Sequence, residues 1–285
     1  MLPVAELMAL PVDELARRAR IRFRLLAGGI PAVLADFAHS IAAEIRMHNA
    51  AGEPTRLILP VGPVAQYPML VEICNRERLS WRHVHIFQMD EWLDWQARPI
   101  GVDHPLSFEG FLRRELFGRL DADLRPPEHQ YHVPHPFRPD AISEALAAAG
   151  GADACYGGIG YHGHVAFNEP PLSRWHRVSV EELRQSVTRV VALGDDSVLV
   201  QSIGCAGGNP EAIPPMAVTM GMRDILAARK IRLYCAGGER HRAVFRRAVA
   251  GPVEVDYPVT LVQGHPDAEV ITDEATAMPI FAALR

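Results

Sequence analysis

The sequence predicts an α/β protein with a doubly wound, mostly parallel sheet flanked by helices, in a single Rossmann-like domain. Two observations predict it: helix-period and strand-like apolar runs alternate along the chain, and several strand runs stop at glycine or at an acid. Neither repeats nor low-complexity linkers interrupt them. At 285 residues, nearly half of them apolar, the chain is long enough for one large core.

Val33, Phe37, Ile41 and Ile45 recur every fourth residue, so residues 31–49 read as a helix with one buried face. Residues 56–60 form a short apolar strand that stops at Val61-Gly62-Pro63, with a helix following through Leu70, Ile73 and Cys74. The next strand, 83–89, ends at Asp90-Glu91. A helix is expected over 107–120, then a proline-rich loop to about residue 139, then a helix over 141–149. Strand 154–159 runs into a glycine-rich turn. Further strands are expected at 187–193, 217–220, 231–235, 259–262 and 270–272, with helices at 222–229 and 239–250. In such a sheet ligands bind beyond the carboxyl ends of the strands, so Gly62, Asp90 and the turn from Gly160 to His164 can meet in one crevice.

The totals exclude several function classes. The net charge of −5 offers no basic footprint for nucleic acid. No apolar run is long enough to span a membrane, and the N-terminus lacks the succession of a secretory signal. The expectation is a cytoplasmic protein. Lys230 is the one lysine, in a turn before a strand, which argues against Schiff-base chemistry. Cys74, Cys155, Cys205 and Cys235 lie far apart, without metal or redox spacing.

The richest stretch is Gly157-Gly158-Ile159-Gly160-Tyr161-His162-Gly163-His164-Val165-Ala166-Phe167-Asn168-Glu169-Pro170. Its Gly158-x-Gly160-x-x-Gly163 matches a dinucleotide fingerprint. That motif needs a long helix behind it, yet Pro170-Pro171 comes seven residues after Gly163, so a nicotinamide cofactor is not expected. His162, His164 and Glu169 are donors that suit zinc or iron, as are His83 with His85 and the trio His129, His132 and His135. Thirteen histidines produce such spacings by chance, so the sequence predicts neither metal nor other cofactor. Asp90 and Glu91 could equally belong to a surface turn. A strand-end carboxylate and a strand-end imidazole in one crevice, however, can exchange protons.

Phe87-Gln88-Met89-Asp90-Glu91-Trp92, His104-Pro105-Leu106-Ser107-Phe108 and residues 157–170 resemble, in order and interval, the glucosamine-6-phosphate deaminase (isomerase) family. That family shares its fold with 6-phosphogluconolactonases, but Phe167-Asn168-Glu169-Pro170 resembles the deaminases. The match runs from about residue 30 to the C-terminus and takes in Gln263-Gly264-His265-Pro266 and Asp273-Glu274. Residues 1–25 look like an N-terminal extension of a domain spanning 26–285.

The resemblance implies an aldose–ketose isomerase/deaminase that opens a 2-amino sugar, moves a proton from C2 to C1 and releases ammonia. Asp90 would carry the proton, His164 would open the ring and Glu169 would orient His164. Gly62, Pro63, Gly160, Arg189 and His241 would contact substrate, a small-molecule sugar. Hexameric relatives make a homo-oligomer one open state.

The chain departs from the family at two places. His162 stands where the family has an aspartate two residues before the catalytic histidine, so either Glu169 supplies part of the missing support or His162 is itself a catalytic residue. The phosphate turn has become Val61-Gly62-Pro63-Val64-Ala65, with no hydroxyl and one N–H fewer. His241, flanked by Arg240 and Arg242, aligns with the family's phosphate lysine. Arg189 matches its phosphate arginine, five residues after Arg184. Each lost charge-assisted bond is worth about 1.5–3 kcal/mol. The expected substrate is therefore an amino sugar or amino sugar phosphate, with an unphosphorylated or differently charged sugar favoured. Sugar lactone hydrolysis and a non-catalytic sugar-binding sensor are the other open readings.

Overall fold

The structure is a computed structural model describing residues 3–173 and 175–280, so the last residues of the expected domain, 281–285, lie outside it. Seven parallel strands form the main sheet: β1 (Arg22–Leu26), β2 (Thr55–Leu59), β3 (Val84–Gln88), β5 (Tyr131–His132), β6 (Ala154–Gly158), β9 (Ile231–Cys235) and β10 (Ala268–Asp273). Their order is β1-β10-β9-β6-β2-β3-β5. A second, antiparallel sheet has the order β4-β8-β7, from Asp90–Leu93, Met216–Thr219 and Arg189–Ala192.

From β2 the chain adds β3 and β5 on one side, whereas β6, β9 and β10 fall on the other. The reversal makes the gap between the carboxyl ends of β2 and β6 the switch point of the sheet, where a crevice forms. The two ends approach closely. A side chain at Gly158 would put its Cβ 2.8 Å from the Gly62 carbonyl oxygen, so only glycine lets β6 end beside the β2 turn.

Helices cover both faces, among them Gly29–Ala51, whose Val33, Phe37, Ile41 and Ile45 are fully buried as their spacing predicts. Its Phe37 ring stacks on Tyr234 of β9 at 4.0 Å. Such buried runs read as near-continuous hydrophobic stretches because each strand is covered on both faces.

Four expectations need correcting. The runs at 187–193 and 217–220 are strands, but they pair antiparallel with β4 outside the main sheet. The run at 259–262 lies in a 3-10 helix, Pro258–Gly264, because β9 and β1 already occupy both sides of β10 and leave no edge there. An apolar run that short does not reveal its period. The helix expected over 107–120 is α-helical only over Phe108–Leu112 and continues as a π-helical turn over Arg113–Phe117.

The fourth concerns residues 1–25, expected as an extension. β1 pairs in register with β10, from Arg22↔Glu269 to Leu26↔Asp273. Ahead of it, Leu7 and Leu15 are buried in the core. The fully buried Arg246 donates to the carbonyls of Leu7 (3.0 Å), Ala277 (2.8 Å) and Met278 (3.3 Å), pinning the N-terminal helix to the C-terminal segment. The N-terminal segment is therefore integral to this domain.

Candidate active site

The main sheet hands over to the second sheet at Met89. β3 ends at Gln88 and β4 begins at Asp90, whose register partner on β8 is Thr219. A strand that leaves a parallel sheet at its carboxyl end places the next side chains directly at the crevice. Asp90 lines a cavity of about 270 Å³ there. Gly62 and Pro63 of the β2 turn, Gly160 and His164 of the β6 turn, and His241 before the helix Arg242–Ala250 line the same cavity.

Asp90 is buried, and among the described residues nothing donates a hydrogen bond to its carboxyl group. Burial first, and the neighbouring Glu91 second, push it up to about 8. Glu91 is equally buried but well supplied with donors: the backbone N–H groups of Trp92 (2.8 Å), Phe108 (2.9 Å) and Glu109 (2.7 Å), and the Ser107 hydroxyl (3.1 Å). Burial raises Glu91 and these four donors oppose it. Adjacent carboxyls thus receive different environments, Glu91 as the hydrogen-bonded tie to the 107–109 turn and Asp90 as the free group facing the cavity.

The β6 turn is built around one imidazole. The Gly160 N–H donates to the His164 carbonyl at 2.9 Å, closing the turn, and Gly163 takes φ +88°. Any Cβ at residue 160 would fall 2.0 Å from His164 Nε2, so glycine there is what lets the ring lie over the backbone. Past the turn, Asn168 Nδ2 donates to the carbonyls of Val165 (3.0 Å) and Met220 (2.8 Å) and fixes the segment against the second sheet.

His162 and Glu169 do not line the cavity; they stand behind His164. His164 Nδ1 lies 3.5 Å from His162 Nε2 and 3.7 Å from Glu169 Oε1. Glu169 accepts from the Gly194 N–H (2.9 Å) and from the Ser197 hydroxyl. His162 Nδ1 is 3.3 Å from Asp196 Oδ2 yet makes no aligned hydrogen bond. Burial, with smaller contributions from His162 and His241, drives His164 down to about 3, against the pull of Asp196. His241 falls to about 4 through burial and the nearby Arg240. Both imidazoles are neutral at neutral pH.

Arg189 does not reach the cavity. Its Nη1 donates to Asn168 Oδ1 (2.9 Å) and to the Val187 carbonyl (3.4 Å), because β7 sits at the far side of the second sheet. The sequence reading also missed Asp195–Cys205, the helix that brings Asp196 and Ser197 to the site. Gly194-Asp195-Asp196 ahead of an apolar run is the signal that marks its start.

No family model matches the chain. Glucosamine-6-phosphate deaminase of Porphyromonas gingivalis strain W83 is 33% identical over 246 residues, covering 82% of this chain and 86% of that one. The chain belongs to the glucosamine-6-phosphate deaminase family. Glucosamine-6-phosphate deaminase 2 of Bacillus subtilis strain 168 is 28% identical over 250 residues, covering 85% of this chain and 92% of its own. Among solved structures, a monomeric glucosamine-6-phosphate deaminase superposes with TM-score 0.76 at 21% identity, over 93% of this chain and all of that one. A 6-phosphogluconolactonase of Trypanosoma cruzi follows at TM-score 0.64 and 17% identity, over 91% of this chain and 97% of its own. The family fold is thus the one seen here.

The Asp90 environment has a measurable consequence. A carboxyl raised from 3.8 to about 8 binds its proton more tightly folded than unfolded. Its contribution to stability is complete below the unfolded value and is lost as pH rises through the folded one. Asp90→Asn, which cannot ionise, should melt above the unaltered protein at pH 9, with the gap closing towards pH 5 in thermal melts. A gap that does not change with pH contradicts the assignment.

Proposed function

We propose that this chain is a cytoplasmic enzyme that converts a 2-amino aldose into a ketose with release of ammonia. The observation that carries the reading is that Asp90 and His164, from separate strand ends, line one cavity. His164 moves a proton between the anomeric hydroxyl and the ring oxygen and opens the ring. Asp90, once ionised, takes the proton from C2 and returns it to C1, while one proton passes from the amino group to O1. Water then hydrolyses the resulting C2 imine, leaving ketose and ammonia. Glu169, held by Gly194 and Ser197, keeps the His164 ring in place.

The same cavity bears on the substrate. Among the described residues its wall carries no arginine or lysine side chain. His241, at the family's phosphate-lysine position, is neutral. Arg189 is engaged with Asn168 on the second sheet. The β2 turn contributes Val61 and Pro63 in place of a hydroxyl and an N–H. A phosphate dianion placed here would be desolvated without a counter-charge, a loss that grows with burial. An unphosphorylated amino sugar suits the cavity better.

The test is a panel of free amino sugars, their 6-phosphates and a 6-phosphogluconolactone, assayed for ammonia, ketose and acid. The expected result is equal ammonia and ketose from a free amino sugar, with kcat/KM at least roughly 10-fold above its 6-phosphate, the worth of one charge-assisted bond. That kcat/KM should rise with pH through about 8, where free Asp90 ionises. Acid from the lactone with no ammonia from any sugar would replace this reading with lactone hydrolysis.

A further inference from the structure

We propose that His162 Nε2, His164 Nδ1 and Glu169 Oε1 form a binding site for a divalent transition-metal cation, with zinc(II) the ion that their spacing suits. Spacing along the chain does not set this trio apart from the other histidine groups, but the fold does. Among the described residues it is the one group of three histidine, cysteine or acidic side chains whose donor atoms all lie within 4.8 Å of one another. Zinc bonds of about 2.0–2.2 Å place neighbouring ligands of a tetrahedron about 3.3–3.6 Å apart. The two edges at His164 Nδ1 are 3.5 Å to His162 and 3.7 Å to Glu169, and the third edge is within 4.8 Å, so the ion would draw His162 and Glu169 together.

The surroundings fit as well. Two imidazole nitrogens facing each other at 3.5 Å are poorly used as a hydrogen bond, whose usual length is about 2.9–3.0 Å. Metal-bound histidines commonly direct their other ring nitrogen to a carboxylate, and His162 Nδ1 is buried, makes no hydrogen bond and lies 3.3 Å from Asp196 Oδ2. Glu169 is fixed through the Gly194 N–H and the Ser197 hydroxyl, as ligating carboxylates are. Two imidazoles and a carboxylate also match zinc in hardness and partly neutralise its charge.

The ion would sit behind the ring, since His162 and Glu169 stay out of the cavity that His164 lines. With Nδ1 committed to the ion, the remaining proton of His164 would reside on Nε2, from which the ring would give a proton to the ring oxygen and take one back from the anomeric hydroxyl. That consequence rests on the proposed sugar chemistry; the binding itself does not.

The full chain, stripped with a chelator, is titrated with zinc chloride in a calorimeter, and bound zinc is counted by mass spectrometry after desalting. One zinc per chain is expected. Asp196→Asn, an isosteric change at an exposed side chain, should weaken binding roughly 10–100-fold, and His162→Ala by more. His132→Gln, which removes a histidine stacked near His85 away from the site, should leave binding unchanged. No uptake by the folded chain, or equal uptake by His162→Ala, overturns the proposal. Zinc uptake is read without sugar, so failure of the sugar panel does not touch it.

Discussion

The site depends on one electrostatic asymmetry, the unequal treatment of two adjacent buried carboxyls where the parallel sheet gives way to the antiparallel one. Glu91 receives four donors, which oppose the upward push of burial. Asp90 receives none, and the neighbouring Glu91 adds to the effect of its burial. A base that must remove a weakly acidic C–H proton gains from this arrangement. The same burial that makes its anion unstable also makes it basic enough to act near neutral pH. Without these donors the 107–109 turn would lose its anchor.

The second constraint is steric and comes from glycine. Gly158 lets β6 end against the β2 turn, and Gly160 lets an imidazole lie over the backbone beside the crevice. Neither position tolerates a Cβ, so the glycine-rich character of the strand end is a packing requirement of His164 and of the switch point.

Much of this was legible in the chain. Strand and helix periods located most elements of the main sheet, because runs buried on both faces are unmistakably apolar. Asp90, Gly62 and His164 were legible as strand-end groups, and the cavity brings them together. Pairing partners were not legible. Strands 187–193 and 217–220 read like any others, and only their neighbours across the seam make them antiparallel. Arg189 was misplaced because interval matching says nothing about which side of a sheet an arginine faces; Asn168 takes its guanidinium. The contribution of Asp196 was invisible because it reaches His162 from 34 residues away in sequence.

The central claim is that Asp90 carries hydrogen between two carbons of an opened sugar. Supplying an aldose deuterated at C2 in ordinary water and locating the label by mass spectrometry and NMR tests it most directly. The account predicts transfer of label to C1 of the ketose, and no transfer or loss of label in Asp90→Asn while that variant still binds the sugar. Label leaving C2 at the same rate in Asp90→Asn would contradict it.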